Sequence, residues 1–198
     1  MKKIFGLTVL LCAIVALTAS KSKKEERFAV DVNKSSIVWK AAKVTGEHEG
    51  TLKLSSGFLL LNDNSLKAGS FNIDMRSISV TDLKGESQKN LLNHLKSDSF
   101  FAVAANPVST FEITKVNPVA DNQVSVTGNL TIKGITNSIS FPAIVKRQKN
   151  TVAAIANNIK IDRTKFDIKY RSKSFFGDLG DKAIDDEFEL SVNLVAGN

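Results

Sequence analysis

Apolar and polar residues alternate with a period of two along most of the chain. In the segment 70–77, Phe71, Ile73 and Met75 lie on one side of an extended chain, and polar residues lie on the other. Because successive side chains of a β-strand point to opposite faces, this pattern predicts antiparallel strands with one apolar and one polar face. Three further segments alternate as strictly, and six others less strictly. The other predicted strands are residues 28–32, 36–44, 47–55, 57–62, 108–116, 124–133, 138–146, 151–161 and 187–196.

One segment, residues 86–97, departs from this alternation. Its Leu91, Leu92 and Leu95 follow helical spacing, and most of the residues around them are good helix formers. Pro142 lies inside a predicted strand and indicates an edge or a bulge there, because proline cannot donate a ladder hydrogen bond. Turn signals separate the strands at residues 62–65, 116–123, 133–137 and 147–150.

The predicted fold class is all-β, a single antiparallel β-barrel of about eight strands with one short helix. Long strands with one apolar face need a second apolar surface, and closing the sheet into a barrel supplies it and removes the edges. A barrel of this size is either solid or holds one small ligand. The twelve phenylalanines favour an ordinary core on composition alone, because aromatic side chains dominate cores in general.

The N-terminus has the layout of a secretory signal peptide, predicted at residues 1–19. Two lysines precede an apolar run at residues 4–17, which is short for a membrane span, and small residues follow. A retained N-terminal anchor is the alternative interpretation. Cys12, the only cysteine, lies within the apolar run rather than at its end, which argues against lipidation. Residues 20–27 are expected to form a flexible charged lead-in to a domain spanning residues 28–198, in a protein exported to the periplasm or beyond.

The formal charge of +7 narrows the range of partners. Without Lys2 and Lys3 it falls from +7 to +5, a modest excess that suits weak, transient attraction to an anionic membrane surface or to acidic ligands. Nucleic acid is not expected as a partner, because the basic residues are dispersed and the protein is predicted to be exported.

The two histidines are the candidates for chemistry. His48 lies between Glu47 and Glu49, but in a strand the three side chains diverge and cannot converge on one metal ion. His94, on the predicted helix, is interpreted as a helix-boundary residue bonded to nearby backbone, or else as a polar group at the mouth of a cavity. No G-x-S-x-G elbow or phosphate-binding glycine loop occurs. The acidic residues between 178 and 187 are expected to be solvated. No catalytic residue, metal or cofactor is predicted.

Several stretches together resemble the YceI-like family of exported polyisoprenoid-binding proteins. They are "VDVNKSSIVWKAAKVTGEHEGTLKLSSG", "GSFNIDMRSISVTDL", "HLKSDSFF", "NPVSTFEIT", "VTGNLTIKGIT" with "ISFP", and "IDRTKFDIKY". The resemblance covers residues 28–196. It implies a lipocalin-like barrel whose long apolar pore holds an isoprenoid chain, such as a polyprenyl lipid or a quinone tail, and it reverses the preference for a solid core. A homodimer is compatible with it.

Strand parity combined with this resemblance predicts the residues that contact the ligand. His48 is expected to face inward as the lone polar group of an apolar interior, and residues of the helix are expected to close one end. The predicted ligand-binding residues are Trp39, His48, Leu52, Leu54, Phe71, Ile73, Leu92, Leu95, Phe101, Phe111, Ile113, Leu130, Ile132, Ile139, Phe141, Phe188 and Leu190. Two other functions stay open: an envelope enzyme that uses His48 or His94 on a lipid-linked substrate, and a stress-response interaction domain with a filled core.

Overall fold

The computed structural model describes residues 25–198. The predicted signal peptide, Cys12 and the first part of the predicted lead-in lie outside the described residues. The strands are β1 (Glu25–Val30), β2 (Ser36–Lys43), β3 (Gly46–Asn62), β4 (Ser65–Asp74), β5 (Val108–Ala120), β6 (Gln123–Ile132), β7 (Ile135–Gln148), β8 (Thr151–Asp162) and β9 (Ile184–Gly197). One α-helix, α1 (Gly85–Lys96), and three 3₁₀ turns, Met75–Ser77, Arg163–Phe166 and Gly180–Lys182, complete the described fold.

The strands form one antiparallel sheet that closes on itself. Neighbouring strands pair around the ring from β3 through β2, β9, β8, β7, β6 and β5 to β4, and pairing of β4 with β3 closes the barrel. The short strand β1 pairs with the second half of β3 and with the end of β9. It therefore lies between the same two strands as β2, nearer to the C-terminal end of β3. The prediction of an eight-stranded antiparallel barrel with one short helix is therefore confirmed.

The barrel has two distinct ends. At the upper end lie the β2–β3 hairpin, the β6–β7 turn and the two long connections, residues 75–107 with α1 and residues 163–183. At the lower end lie the short β3–β4, β5–β6 and β7–β8 hairpins. No helix in residues 25–198 has the length and apolar character needed to cross a membrane. Because nearly all of the irregular chain is at the upper end, any opening into the barrel is expected there.

Several boundaries differ from those expected, among them those of β3, of the β5–β6 turn and of β1. The segments 47–55 and 57–62 are one strand, β3, in which a bulge between Leu54 and Ser56 absorbs the break in alternation. Strands β5 and β6 extend into the expected turn at 116–123 and leave only two residues between them. Strand β1 begins at Glu25, within the expected lead-in, because residues 25–29 pair with β3 and Glu26 binds Arg147.

The ladder between β7 and β8 is short. Their ladder runs only from Gln148↔Thr151 to Ile144↔Ile155, whereas β8 stays paired with β9 as far as Asp162. Pro142 lies just beyond the last pair, on the part of β7 that has no ladder to β8. Pro142 therefore lies at a local edge of the sheet, as expected, where its missing N–H interrupts no ladder to β8.

The inward face of the barrel is almost wholly apolar. Phe71, Ile73 and Met75 are buried, as their alternation predicted, and the same holds for Leu130 and Ile132 of β6. Phe28 and Leu61 are completely buried at the lower end, and Phe166 is almost as deeply buried at the upper end. Space remains inside the barrel between the walls formed by β2–β9.

Candidate functional site

Two apolar chambers follow one another along the barrel axis. The lower chamber has a volume of about 120 Å³ and the upper chamber about 80 Å³. They share Ile37, Ile73, Leu130 and Leu190 as a common wall. Trp39, Leu95 and Phe100 of the upper chamber also line a wider cleft of about 540 Å³ at the upper end. The interior is therefore a row of spaces that leads from the barrel centre to the upper surface.

Most of the residues predicted to bind ligand form the walls of these chambers. Side chains of β2, β3, β4, β5, β6, β7 and β9 reach the interior through the parity of their strands, and α1 with the following loop adds the upper wall. The predicted residues in chamber walls are Trp39, Leu52, Leu54, Phe71, Ile73, Leu95, Phe101, Phe111, Ile113, Leu130, Ile132, Ile139, Phe141, Phe188 and Leu190. That they contact a ligand stays a prediction. Leu92 is not brought to either chamber or to the cleft; it is a half-buried helix residue packed on the core.

His48 does not lie in the apolar interior. Its strand parity is as expected, but it lies near the upper end of β3, and its ring lines the cleft rather than a chamber. His48 Nδ1 lies 2.7 Å from Asp82 Oδ2, and Asp82 Oδ1 accepts from the Glu49 N–H at 3.2 Å. Parity fixes the face of a residue but not its depth along the barrel, so the expectation of a lone polar group in the interior is wrong.

The flanking carboxylates confirm that "EHE" is not a cluster. Glu47 pairs with Lys40 across the hairpin at 2.8 Å, and Glu49 is exposed. Burial alone would raise the pKa of Asp82, but hydrogen bonds from His48 and the Glu49 N–H outweigh it and hold the pKa below its ordinary value. Within residues 25–198, no three His, Cys, Asp or Glu side chains meet in a metal-binding arrangement.

His94 is the second polar residue of the cleft. Its ring packs 4.5 Å from Tyr170 and 5.5 Å from Phe100, measured between ring centroids. Its Nε2 is buried and finds no hydrogen-bond partner among the described residues, so the expected bond to nearby backbone is not formed by this nitrogen. Burial, and second the positive charge of Arg171, lower the pKa of His94. The arrangement agrees with the other interpretation, a polar group at the mouth of a cavity.

Arg163 is a buried cation in the wall of the upper chamber that sequence reasoning missed. Only 2% of it is exposed, and its guanidinium donates to the carbonyls of Ile168 at 2.7 Å, Asp185 at 2.9 Å and Ile184 at 3.0 Å. Asp186 lies 3.5 Å away. With these acceptors Arg163 ties the 163–183 connection to β9, which is a structural task. The quoted stretch "IDRTKFDIKY" contained it, but nothing in the pattern indicated burial.

Strand β8 supplied none of the predicted residues, although five of its side chains line the lower chamber. Ala156 and Ile159 both face inward although they are three residues apart, because a bulge places Asn157 and Asn158 outside between them. Asn158 takes a left-handed φ of 54°, and the Asn-Asn pair was the available signal. The missed lining residues are Ile37, Ala41, Leu59, Leu66, Met75, Ile78, Phe100, Ser109, Val126, Ala143, Val145, Ala154, Ile155, Ala156, Ile159, Ile161, Arg163, Ile184, Asp185, Val192 and Leu194.

The walls of the cleft differ in character from those of the chambers. Lys43, Arg171 and Lys182 line it with Asp181, beside an apolar floor that includes Trp39. No serine, threonine or cysteine of the described chain lines it; its hydroxyl group is that of Tyr170. The arrangement suits a ligand with a long apolar part and a polar end, since the apolar part would be buried below and the polar end would meet donors above.

A closed antiparallel barrel with an apolar interior that is entered beside a helix defines a lipocalin-like binding fold. The YceI-like domain model matches residues 28–196, and the chain therefore belongs to the YceI-like family. Protein YceI of Salmonella arizonae is 32% identical over 94 residues, which is 48% of this chain and 47% of the relative. A UPF0312 protein of Pseudomonas aeruginosa is 34% identical over 83 residues, 38% of this chain and 43% of the relative. The chain spans less than half the length of these relatives.

Solved structures share the fold at low sequence identity. BcnA of Burkholderia cenocepacia has a TM-score of 0.68 at 22% identity, over 84% of this chain and 99% of that one. A polyisoprenoid binding domain from Saccharophagus degradans has a TM-score of 0.64 at 15% identity, over 86% of this chain and 97% of that one. At such identities the likeness establishes the fold alone.

Proposed function

We propose that the protein is a non-enzymatic carrier or sequestering protein for a long apolar isoprenoid lipid in the cell envelope. The observation that carries this proposal is the row of two apolar chambers beneath a cleft lined by basic residues. The isoprenoid tail occupies the chambers, and its polar end lies in the cleft near Lys43, Arg171 and Lys182. Membership of the YceI-like family supports the same class of ligand.

The energetics of the interior favour such a ligand. Each buried CH₂ group contributes roughly 0.8 kcal/mol, so a prenyl tail binds well without polar contacts. The chamber walls are nearly free of polar groups, and the buried Arg163 already has acceptors. A free energy of binding obtained in this way depends little on the headgroup, which agrees with a protein that holds the tail and leaves the polar end at the surface.

The size of the chambers adds one requirement. A dry cavity of about 150 Å³ binds benzene, so each chamber accommodates about one five-carbon unit as it stands. A longer tail therefore needs side chains of the chamber walls to move. Phe71, Phe111 and Phe141 form a contiguous row, with centroid distances of 6.3 Å and 5.5 Å, and are the residues in position to open the lower chamber.

Native mass spectrometry and solvent extraction of the purified protein test the proposal. We expect a prenyl lipid to copurify, and delipidated protein to take up an added polyprenol but not a sugar or a nucleotide of similar mass. Absence of copurified lipid together with failure to bind any polyprenol would overturn it. The filled-core alternative predicts that outcome.

Export to the periplasm or beyond is part of the proposal and rests on the N-terminal pattern of lysines, apolar run and small residues. Cell fractionation with N-terminal sequencing of the recovered protein tests it. A chain that begins near residue 20 in the envelope fraction is the expected result, and an intact N-terminus in the cytoplasmic fraction contradicts it.

The enzyme alternative finds less support in the geometry. His48 and Asp82 form an oriented pair at the cleft, but the cleft wall in the described chain has no serine, threonine or cysteine for them to activate. A hydrolytic activity lost in His48→Ala while polyprenol binding persists would favour an enzyme.

A further inference from the structure

The connection between the upper 3₁₀ turns carries two exposed aromatic side chains. Phe175 and Phe176 are 50% and 51% exposed, and they are the only aromatic residues of the described chain that are exposed to this degree. The other ten phenylalanines that the sequence contains include Phe28 and Phe166, which the structure buries almost completely. Two adjacent phenylalanines in water are unfavourable, so their position indicates a surface that is covered in some state of the protein.

The surrounding chain holds both rings outward. The N–H groups of Phe175 and Phe176 donate to the carbonyl of Ser172 at 3.2 Å and 3.0 Å, and Ser172 is fully buried. Ser174 Oγ donates to Asp186 Oδ2 at 2.5 Å. Phe175 and Phe176 cannot rotate into the core without breaking these hydrogen bonds. The conformation of the loop therefore keeps both rings exposed.

Basic residues are frequent in the connection that carries the two rings and in the neighbouring β2–β3 hairpin. Lys43, Arg171, Lys173 and Lys182 are exposed, and none of them forms an ion pair within residues 25–198. Lys169 Nζ lies 5.1 Å from the centroid of the Phe175 ring. The connection 163–183 has three acidic residues, Asp167, Asp178 and Asp181, and Asp167 is paired with Lys169 at 2.8 Å, so the basic residues are in excess. Exposed apolar rings beside an excess of positive charge complement the surface of an anionic bilayer. The rings can enter the boundary between headgroups and acyl chains, and the basic side chains can bind the lipid phosphates.

The aromatic surface is continuous with the cleft. Arg171 and Lys182, which bound the loop, also line the cleft, and so does Lys43 of the neighbouring hairpin. The hairpin is joined to the loop because the Val44 N–H donates to the Ala183 carbonyl at 3.4 Å, and Val44 is itself 50% exposed. A bilayer that covers the rings would therefore face the opening through which a lipid tail enters.

We propose that the upper surface formed by Val44, Phe175, Phe176 and the adjacent basic residues docks the protein onto anionic phospholipid membranes. Its role in lipid exchange rests on the proposed function, but docking itself is a separate property. It is measured with vesicles that contain no isoprenoid lipid, so failure to dock and failure to bind a prenyl tail are distinguishable.

Local fluorescence on vesicles tests the proposal in the full chain. In a Cys12→Ser background, Gly177→Cys places a label beside the rings, where the added side chain meets no atom within 4 Å. Asp121→Cys places the same label at the lower end. With vesicles of phosphatidylcholine and phosphatidylglycerol we expect a blue shift of an environment-sensitive dye at residue 177 and none at 121. Vesicles of phosphatidylcholine alone should give a weaker shift.

Matched substitutions identify the groups responsible. Phe175→Ala with Phe176→Ala should weaken vesicle binding at least about tenfold, and Lys173→Glu with Lys182→Glu should remove most of its dependence on phosphatidylglycerol and on salt. The control is Val119→Ala with Lys149→Glu, at the lower end where Val119 is 67% exposed; it should bind as the unmodified chain does.

Three outcomes overturn the proposal. The first is equal shifts at residues 177 and 121, which would mean adsorption through another part of the chain. The second is unchanged vesicle binding after both phenylalanines are replaced. The third is absence of vesicle binding together with a dimer in solution that the double phenylalanine variant converts to a monomer, which would assign the surface to a second copy of the chain.

Discussion

At Gly50, strand β3 and the connection that follows β4 pack tightly against each other. A Cβ atom at this position would lie 1.8 Å from the Ser79 carbonyl oxygen and 2.7 Å from the Trp39 ring. The same carbonyl accepts from Trp39 Nε1 at 3.0 Å, and the Ser79 and Thr81 N–H groups donate to β3 carbonyls. Glycine is therefore required here so that the segment after β4 can lie on the strand and position the single tryptophan.

Gly50→Ala should destabilise the protein and displace Trp39. The added methyl group forces the Ser79 segment outward, which we expect to lower the free energy of unfolding by about 1–3 kcal/mol. Urea unfolding measures the loss, and the fluorescence of the only tryptophan should shift to longer wavelength as its hydrogen bond opens. Gly177→Ala is the control, because a Cβ there meets no atom within 4 Å. Equal stabilities of the two variants would contradict the prediction.

His94 should make the stability of the protein depend on pH. Its pKa is lowered from 6.5 in the folded state by burial and then by Arg171, so the unfolded chain binds more protons as pH falls. Stability from this residue is therefore present above the unfolded pKa and is lost as pH falls through about 6.5 towards the folded pKa. His94→Phe should show a smaller loss between neutral and mildly acidic pH in urea unfolding. Equal losses in both proteins would mean that His94 is not responsible.

At the scale of strands and helix, alternation predicted most of the fold and strand geometry explains what it missed. The strictly alternating segments were assigned to strands correctly, except that Met75–Ser77, at the end of the segment 70–77, form a 3₁₀ turn. One wet and one dry face leave a clear record in the sequence. Alternation breaks at a bulge, so β3 was divided at Leu54–Ser56. No inward residue of β8 was identified on either side of its bulge at Asn158. Depth along the barrel leaves no such record, and His48 was therefore placed on the right face but too deep.

Strand β8 also offers the sharpest test of the chambers. Ala154 lines the lower chamber, and Ala153, the preceding residue, points to the other face of the sheet. Ala154→Phe should fill much of the chamber and reduce the amount of copurified prenyl lipid at least about tenfold, at a cost in stability of about 1–3 kcal/mol. Native mass spectrometry measures the bound lipid, and thermal unfolding measures the cost.

The matched control is Ala153→Phe, the same exchange on the same strand. It adds the same ring to the outer face and should leave the bound lipid unchanged. Lipid retained by Ala154→Phe, or lost equally by both variants, would mean that the lower chamber does not hold the tail.

At the scale of the whole molecule, one end of the barrel is closed and the other is open. Arg147 closes the lower end: it binds Glu26 through two hydrogen bonds of 2.9 Å and 2.8 Å and the Asp63 carbonyl at 2.7 Å, over the fully buried Phe28 and Leu61. The cleft, the basic residues and the exposed rings all lie at the upper end. Because the two ends differ, the proposed binding of the lipid tail inside the barrel and the proposed contact with a membrane at the upper end lie along one axis.

The rate at which the protein takes up a lipid from a membrane should therefore depend on the charge of the membrane. The affinity of the chambers for the lipid tail should not. We expect transfer of a fluorescent polyprenol to be faster from vesicles that contain phosphatidylglycerol than from neutral vesicles, since basic residues around the cleft raise the local encounter rate. The difference should vanish at high salt, where charges are screened within about 3 Å at 1 M. Stopped-flow fluorescence measures the transfer rate, and lipid occupancy after long incubation should be the same from both kinds of vesicle.

Ala154→Phe separates the two steps, because it should dock on the vesicles as well as the unmodified chain and yet take up little polyprenol. Transfer rates that are independent of vesicle charge at low salt would mean that the tail reaches the chambers without contact between the upper surface and the membrane.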